Sequence, residues 1–126
     1  MSIELVLVAV GGGAGAVTRY LTALLAARLW GESFPWGTLI VNLVGCFAIG
    51  LVFALGVEGG AIGPRARLFL MTGLLGGLTT FSAFSLETSA LLAQGTGWYT
   101  VLNVLGNVGG GLLVFMLGVT IGRVML

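Results

Sequence analysis

Histidine is absent from these 126 residues, and cysteine occurs once, at Cys46. A lone cysteine forms no intramolecular disulfide, and a chain without imidazoles or paired thiolates has no ligand set for a zinc-type metal site. Cys46 lies inside an apolar run and reads as a small buried apolar residue. Charge is scarce too. Glu4, Arg19, Arg28, Glu32, Glu58, Arg65, Arg67, Glu87 and Arg123 make up 7% of the chain, where soluble domains carry roughly 25%. With 58% hydrophobic residues, that scarcity excludes an ordinary soluble fold. A net charge of +1 says nothing about nucleic acid, but there is no basic patch to hold one, so no nucleic-acid partner is expected. Catalysis is not expected either. There are no paired carboxylates, and Ser82 or Ser85 beside Glu87 lacks a base of suitable pKa.

What remains is apolar sequence in four runs, 3–29, 36–57, 68–94 and 98–125. About 20 apolar residues cross a hydrocarbon core of about 30 Å, so each run is long enough. The expected fold is an all-α integral membrane protein with four transmembrane helices, a single domain over 1–126 embedded in the lipid bilayer. The first run begins by Ile3 with no basic flank and outlasts the short apolar region of a signal peptide, so it reads as a permanent span. Trp30, Trp36 and the turn between them mark the first loop and an aromatic belt, and Gly, Pro and two arginines over 58–67 mark the second loop. Four spans put both termini on one side. Arg65, Arg67 and Arg123 flank that side, against Arg28, with Arg19 near it, on the other. So small a bias permits insertion in both orientations.

Within the first run, Gly11-Gly12-Gly13-Ala14-Gly15-Ala16 matches the dinucleotide-binding pattern G-x-G-x-x-A. That pattern needs a parallel sheet and an acidic residue about 20 positions on. Glu32 is near that spacing, but it lies in a short loop before another span. Gly11 and Gly15, four apart on one face, read instead as a close-packing surface. The third run carries the anomaly. Gly73, Gly76 and Gly77 precede Thr79 and Thr80, then Phe81, Ser82, Phe84, Ser85 and Glu87. One straight helix over 68–94 would measure about 40 Å, against a core of about 30 Å. The glycines favour a broken third helix, and hydrocarbon requires such a break to be buried in protein or to line a cavity.

Several polar residues admit two readings. Thr38, Asn42 and Gly45 share a face of the second span, and Asn42 is either an interhelical hydrogen-bond partner or an amide donor to a ligand. Arg19 is either a snorkelling side chain or a positive charge at a pore mouth. Asn103, Asn107 and Gly111 share a face of the fourth span. Glu87 suits a proton- or cation-coupled transporter, since intramembrane carboxylates serve such coupling. Asn amides, Ser and Thr hydroxyls and the electropositive edges of Phe81 and Phe84 suit an anion path. One helical protomer of this size encloses no water-filled route alone, so an oligomer is expected.

Arg19-Tyr20 after the glycine cluster, Trp36-Gly37-Thr38 continuing through Asn42 to Gly45, and the whole stretch from Gly73 to Glu87 together resemble the Fluc (CrcB) fluoride channel family. The resemblance covers nearly the whole chain, and the third-span motif is highly specific. It implies an antiparallel, dual-topology homodimer in the inner (cytoplasmic) membrane, with two pores that export fluoride passively. It implies a structural Na⁺ at the dimer centre, held by backbone carbonyls at the break, here those of Gly76 and Thr79. Phe81 and Phe84 would line the fluoride route from opposite sides with Asn42 as donor. Ser82, Ser85 and Thr38 would belong to the polar track, with Glu87 and Arg19 matching the family's motif glutamate and first-span arginine. The fourth-span face departs from the pattern: relatives often carry Tyr and Ser where this chain has Asn103, Asn107 and Gly111.

Overall fold

A computed structural model describes residues 2–126. Helix α1 is Ser2–Trp30. Helix α2 is Trp36–Glu58, and the third span is Pro64–Ala93. Within that span we label 64–78 as α3 and Phe81–Ala93 as α4. Helix α5 is Gly97–Val124. No strand occurs among the described residues. All four spans are long and apolar enough to cross a membrane, which makes this a multi-pass membrane protein.

The ends of the spans follow local chemistry. Gly31 and Gly95 have φ of 79° and 74°, the left-handed conformation that stops α1 and α4 and that glycine adopts without strain. The third span begins at Pro64, four positions before the expected start at residue 68. Proline at a first helical position already has the helical φ and gives up an amide that would be unpaired there. Arg65 and Arg67 therefore stand in the first turn of α3 rather than in the loop.

Helix packing relies on absent side chains, because lipid offers no hydrophobic force between helices and close backbone approach must supply the attraction. A Cβ on Gly11 would meet the Phe69 carbonyl at 2.8 Å, and one on Gly77 would lie 2.9 Å from Gly12 Cα, so α1 and α3 touch backbone to backbone. Gly37 has the same relation to Ala23 Cα at 2.6 Å, joining α1 to α2. Gly50, Gly118 and Gly122 join α2 to α5, where a Cβ on Gly122 would stand 2.6 Å from that of Ala54. Gly11 and Gly15 thus face the third span. The cluster of Val41, Leu75 and Leu78 is the apolar centre between α2 and α3.

Two contacts tie the span ends together. Phe34 is buried between Trp36, at 4.7 Å between ring centroids, and Tyr99 at 5.8 Å, which fastens the first loop to the start of α5. At the opposite end Arg123 meets Glu58 through two hydrogen bonds of 2.8 and 2.7 Å, joining the end of α2 to the end of α5. Large side chains such as Leu21, Leu86, Leu113 and Val124 point outward and meet lipid or another chain.

Gly77→Val should lower the unfolding free energy in detergent by about 1–3 kcal/mol, because the added carbons enter backbone space on α1. Gly97→Ala, with nothing within 4 Å of the new Cβ, should leave it unchanged. Equal effects of the two would reject close packing as the reason for the α1–α3 glycines.

Candidate functional site

Leu78 ends one helical segment and Phe81 begins the next. Between them Thr79 (φ −79°, ψ 154°) and Thr80 (φ −152°, ψ 121°) are extended. Extension there turns amides away from the carbonyls four residues earlier, and these groups need other partners. Thr80 N–H would close the helical bond to Gly76. It donates instead to Asn42 Oδ1 at 2.8 Å, and Asn42 Nδ2 donates back to the Thr80 carbonyl at 3.1 Å. Ala83 N–H, the helical donor for Thr79, goes to Thr80 Oγ1 at 3.2 Å, which caps α4. Arg19 reaches the same place from α1 and donates through Nε to the Gly77 carbonyl at 3.2 Å. It therefore lies at the level of the extended pair and not at a helix end. The break can lie close to α2 because Gly45 has no Cβ where the Thr79 methyl sits.

A chain of side-chain amides extends from this point. Asn42 Nδ2 donates to Asn107 Oδ1 at 2.8 Å. Asn107 Nδ2 donates to the Asn103 carbonyl at 2.9 Å and to Asn103 Oδ1 at 3.0 Å. Asn103, at 0% exposure, donates to Thr88 Oγ1 at 2.9 Å, and Thr88 donates to the Phe84 carbonyl at 2.6 Å. Asn107 lies in a π-helical stretch, Leu105–Gly110, which widens α5 locally.

Three clefts follow one stripe of α2. Thr38, Asn42 and Cys46 are four apart, so they stack along about 12 Å of helix. Thr38 donates to Glu87 Oε1 at 2.7 Å, and both line a cleft of about 220 Å³ beneath the first loop, with Glu32 at its rim. The second Glu87 oxygen is buried with no hydrogen-bond partner among the described residues. Asn42 lines a second cleft of about 220 Å³ with Thr79, Thr80, Phe81, Phe84 and Asn107. Cys46 belongs to that cleft and to a third of about 480 Å³ that runs past Asn107 and Phe81 to Gly111 and Phe115. The Phe81 and Phe84 rings are 5.5 Å apart and tilted by 54°. Phe84 is 7% exposed and Phe81 76%, so one ring belongs to the fold while the other projects from it.

The structure thus brings Asn42, Thr79, Phe81 and Phe84 to one cleft and Thr38 and Glu87 to the next. Ser82 Oγ lies 3.2 Å from Thr80 Oγ1, at the edge of the break. Ser85 donates to the Phe81 carbonyl of its own helix and lines none of the three clefts. Gly76 is exposed at the outer edge of the break. Thr88 carries no signal of its own in the sequence, Thr80 stands in the third-run motif without a role, and Cys46, which the apolar run reads as buried, is half-buried and lines two clefts. Cys46 is one turn from Asn42 and Thr88 one turn from Phe84, and this spacing was the available signal.

Fold and site define a class: small helical membrane proteins with an interrupted polar track inside the bilayer. The family model described as CrcB-like protein, Camphor Resistance (CrcB), matches residues 6–119. Among curated relatives, the fluoride-specific ion channel FluC of Roseiflexus sp. (strain RS-1) is 44% identical over 123 residues, covering 98% of this chain and 99% of its own. That of Shewanella pealeana is 48% identical over 111 residues, covering 88% and 89%, and that of Clostridium perfringens (strain 13 / Type A) is 40% identical over 119, covering 94% and 93%. The chain belongs to the CrcB family, whose curated relatives are named as channels and not as enzymes.

Asn42→Leu removes both partners of the Thr80 backbone and leaves two peptide groups without partners in a low-dielectric site. It should cost about 1–3 kcal/mol of stability in detergent unfolding. An undiminished unfolding free energy would remove Asn42 from its role in holding the break.

Proposed function

We propose that this protein is a fluoride-selective channel of the inner (cytoplasmic) membrane, exporting fluoride passively. The observation that carries this reading is the stripe Thr38, Asn42 and Cys46, which meets three successive clefts along the bilayer-spanning direction. The relatives' name supplies the ion. The chemistry agrees. A small anion sheds strongly held water on entering the bilayer, and several donors acting together must offset that loss. Asn42 and the hydroxyls of Thr80 and Ser82 are such donors, Thr38 joins them when its O–H leaves Glu87 Oε1, and Ser85 contributes where a partner chain encloses the track. Phe81 and Phe84 contribute electropositive ring edges at van der Waals distance, where a compact ion fits better than a bulky one. Many modest sites let the ion leave again, which conduction requires. Arg19 and its guanidinium charge at Gly77 favour an anion near the break.

The channel unit in this reading is the single domain 1–126, working as an antiparallel, dual-topology homodimer with two pores. Phe81 at 76% exposure and the exposed Gly76 edge support an assembly that covers the break and brings a second chain against the projecting ring. The carbonyls of Gly76 and Thr79 fit a structural Na⁺ at that interface. Their helical amide donors, Thr80 N–H and Ala83 N–H, are engaged elsewhere, and carbonyl oxygens suit a hard cation. Such an ion raises the local potential for an anion.

A second reading rests on Glu87. Its buried, unpartnered oxygen suits a carboxylate that takes up a proton during transport. In a proton- or cation-coupled transporter, substrate movement depends on a pH gradient and Glu87→Gln abolishes it. In a passive channel the variant still dissipates a fluoride gradient with no pH gradient imposed.

Proteoliposomes of the purified protein should discharge fluoride and hold chloride, as read by ion-selective electrodes. Phe81→Ile and Phe84→Ile should each remove most of the fluoride flux while cross-linking still reports the dimer. Chloride flux equal to that of fluoride would reject selectivity, and unchanged flux in both variants would reject the ring edges.

A further inference from the structure

Every side-chain amide hydrogen facing the central cleft is already donated. Asn42 Nδ2 has two hydrogens, one to the Thr80 carbonyl and one to Asn107 Oδ1. Asn107 Nδ2 has two, both to Asn103. The orientations are fixed from the ends. Thr80 N–H only donates, so Asn42 must turn Oδ1 toward it and Nδ2 toward α5. The Asn103 carbonyl only accepts, so Asn107 must turn Nδ2 toward it and Oδ1 toward Asn42. Asn107 therefore presents an acceptor in a cleft where the reading above requires donors.

On the channel reading above, we infer that Asn107 Oδ1 occupies the acceptor position an anion takes at Asn42, so that a halide enters by displacing it. Asn107 is then a specificity-determining residue. The exchange replaces a neutral amide–amide hydrogen bond with an amide–anion bond, and charge-assisted bonds are roughly twice as strong. A compact, charge-dense anion is a strong acceptor and completes the exchange. A larger halide, with diffuse charge and a longer contact distance, gains less and leaves the Asn42–Asn107 bond closed. Asn103 takes part as the positioning residue. By binding both Asn107 hydrogens, it prevents Asn107 from rotating to offer Nδ2 instead.

Removing the displaced acceptor should make anion binding easier, whereas loss of a merely structural contact would weaken it. In lipid nanodiscs, sodium fluoride should shift the side-chain ¹⁵N–¹H resonances of Asn42 and Asn107 together. Asn107→Ala should half-saturate the Asn42 resonance at about tenfold lower fluoride, a factor equal to about 1.4 kcal/mol. Its chloride binding should rise by more, narrowing the preference between the two ions. A water entering the vacated space is not tethered to α5 and competes less. If Asn107→Ala does not fold, Asn107→Ser, whose shorter side chain no longer reaches Asn42, is measured in the same way with the same expectation. Half-saturation at the same or higher fluoride, or Asn107 resonances that stay still while those of Asn42 move, would overturn the displacement. Wild-type vesicles that discharge no fluoride would overturn the channel reading itself, and fluoride discharge by wild type with an unaltered Asn107→Ala titration overturns only the role of Asn107.

Discussion

Interrupting a helix inside hydrocarbon strands peptide groups that have no water to turn to, and here Asn42 meets both polar groups of Thr80 with one amide plane. The remaining features follow from making that contact possible. Asn42 must stand opposite the gap, which requires α2 to pack closely enough on the third span for the Thr79 methyl to sit over Gly45. The third span must in turn be held from the other side, and Gly11, Gly12 and Gly15 on α1 allow backbone contact with Gly73, Gly77 and Leu78. A larger residue at any of these points would move the break away from the group that satisfies it.

Satisfying the break also organises the polar interior. One amide hydrogen of Asn42 is left over, and it begins the sequence of bonds through Asn107, Asn103 and Thr88 to the Phe84 carbonyl. That sequence connects α2, α5 and α4, three helices whose apolar faces alone set no unique register in lipid. Because each link has a donor on one side and an acceptor on the other, the network has one direction and one arrangement. The same groups line the central cleft, so the residues that specify the fold and those proposed to meet the ion are largely the same.

Much of this was legible in the chain. Four long apolar runs with few charges require four spanning helices, because a bilayer admits few other solutions. The glycines at 11 and 15 carry their packing role in their spacing. A mid-span asparagine must find a partner, and Asn42 finds interhelical ones in the Thr80 backbone and Asn107. Other features were hidden for identifiable reasons. Counting along the helix puts Arg19 near Arg28 at a span end, but its long side chain reaches the Gly77 carbonyl. Ser85 has the residue type expected of a track member, yet within one chain its hydroxyl turns back to its own helix.

The sequence by itself determined the environment, the number of spans, the place of the anomaly and the small residues that let helices touch, because each of these is a property of composition or of spacing along one helix. The tertiary structure alone decided which amide meets which. Asn103 and Asn107 meet four residues apart, as their spacing implies, but which amide atom Asn107 turns to the cleft does not follow from spacing along one helix. The direction of the amide chain is set by two backbone groups, the Thr80 N–H and the Asn103 carbonyl, on different spans. Whether an asparagine offers its oxygen or its nitrogen to a cleft depends on what lies behind it, and that neighbour belongs to another helix.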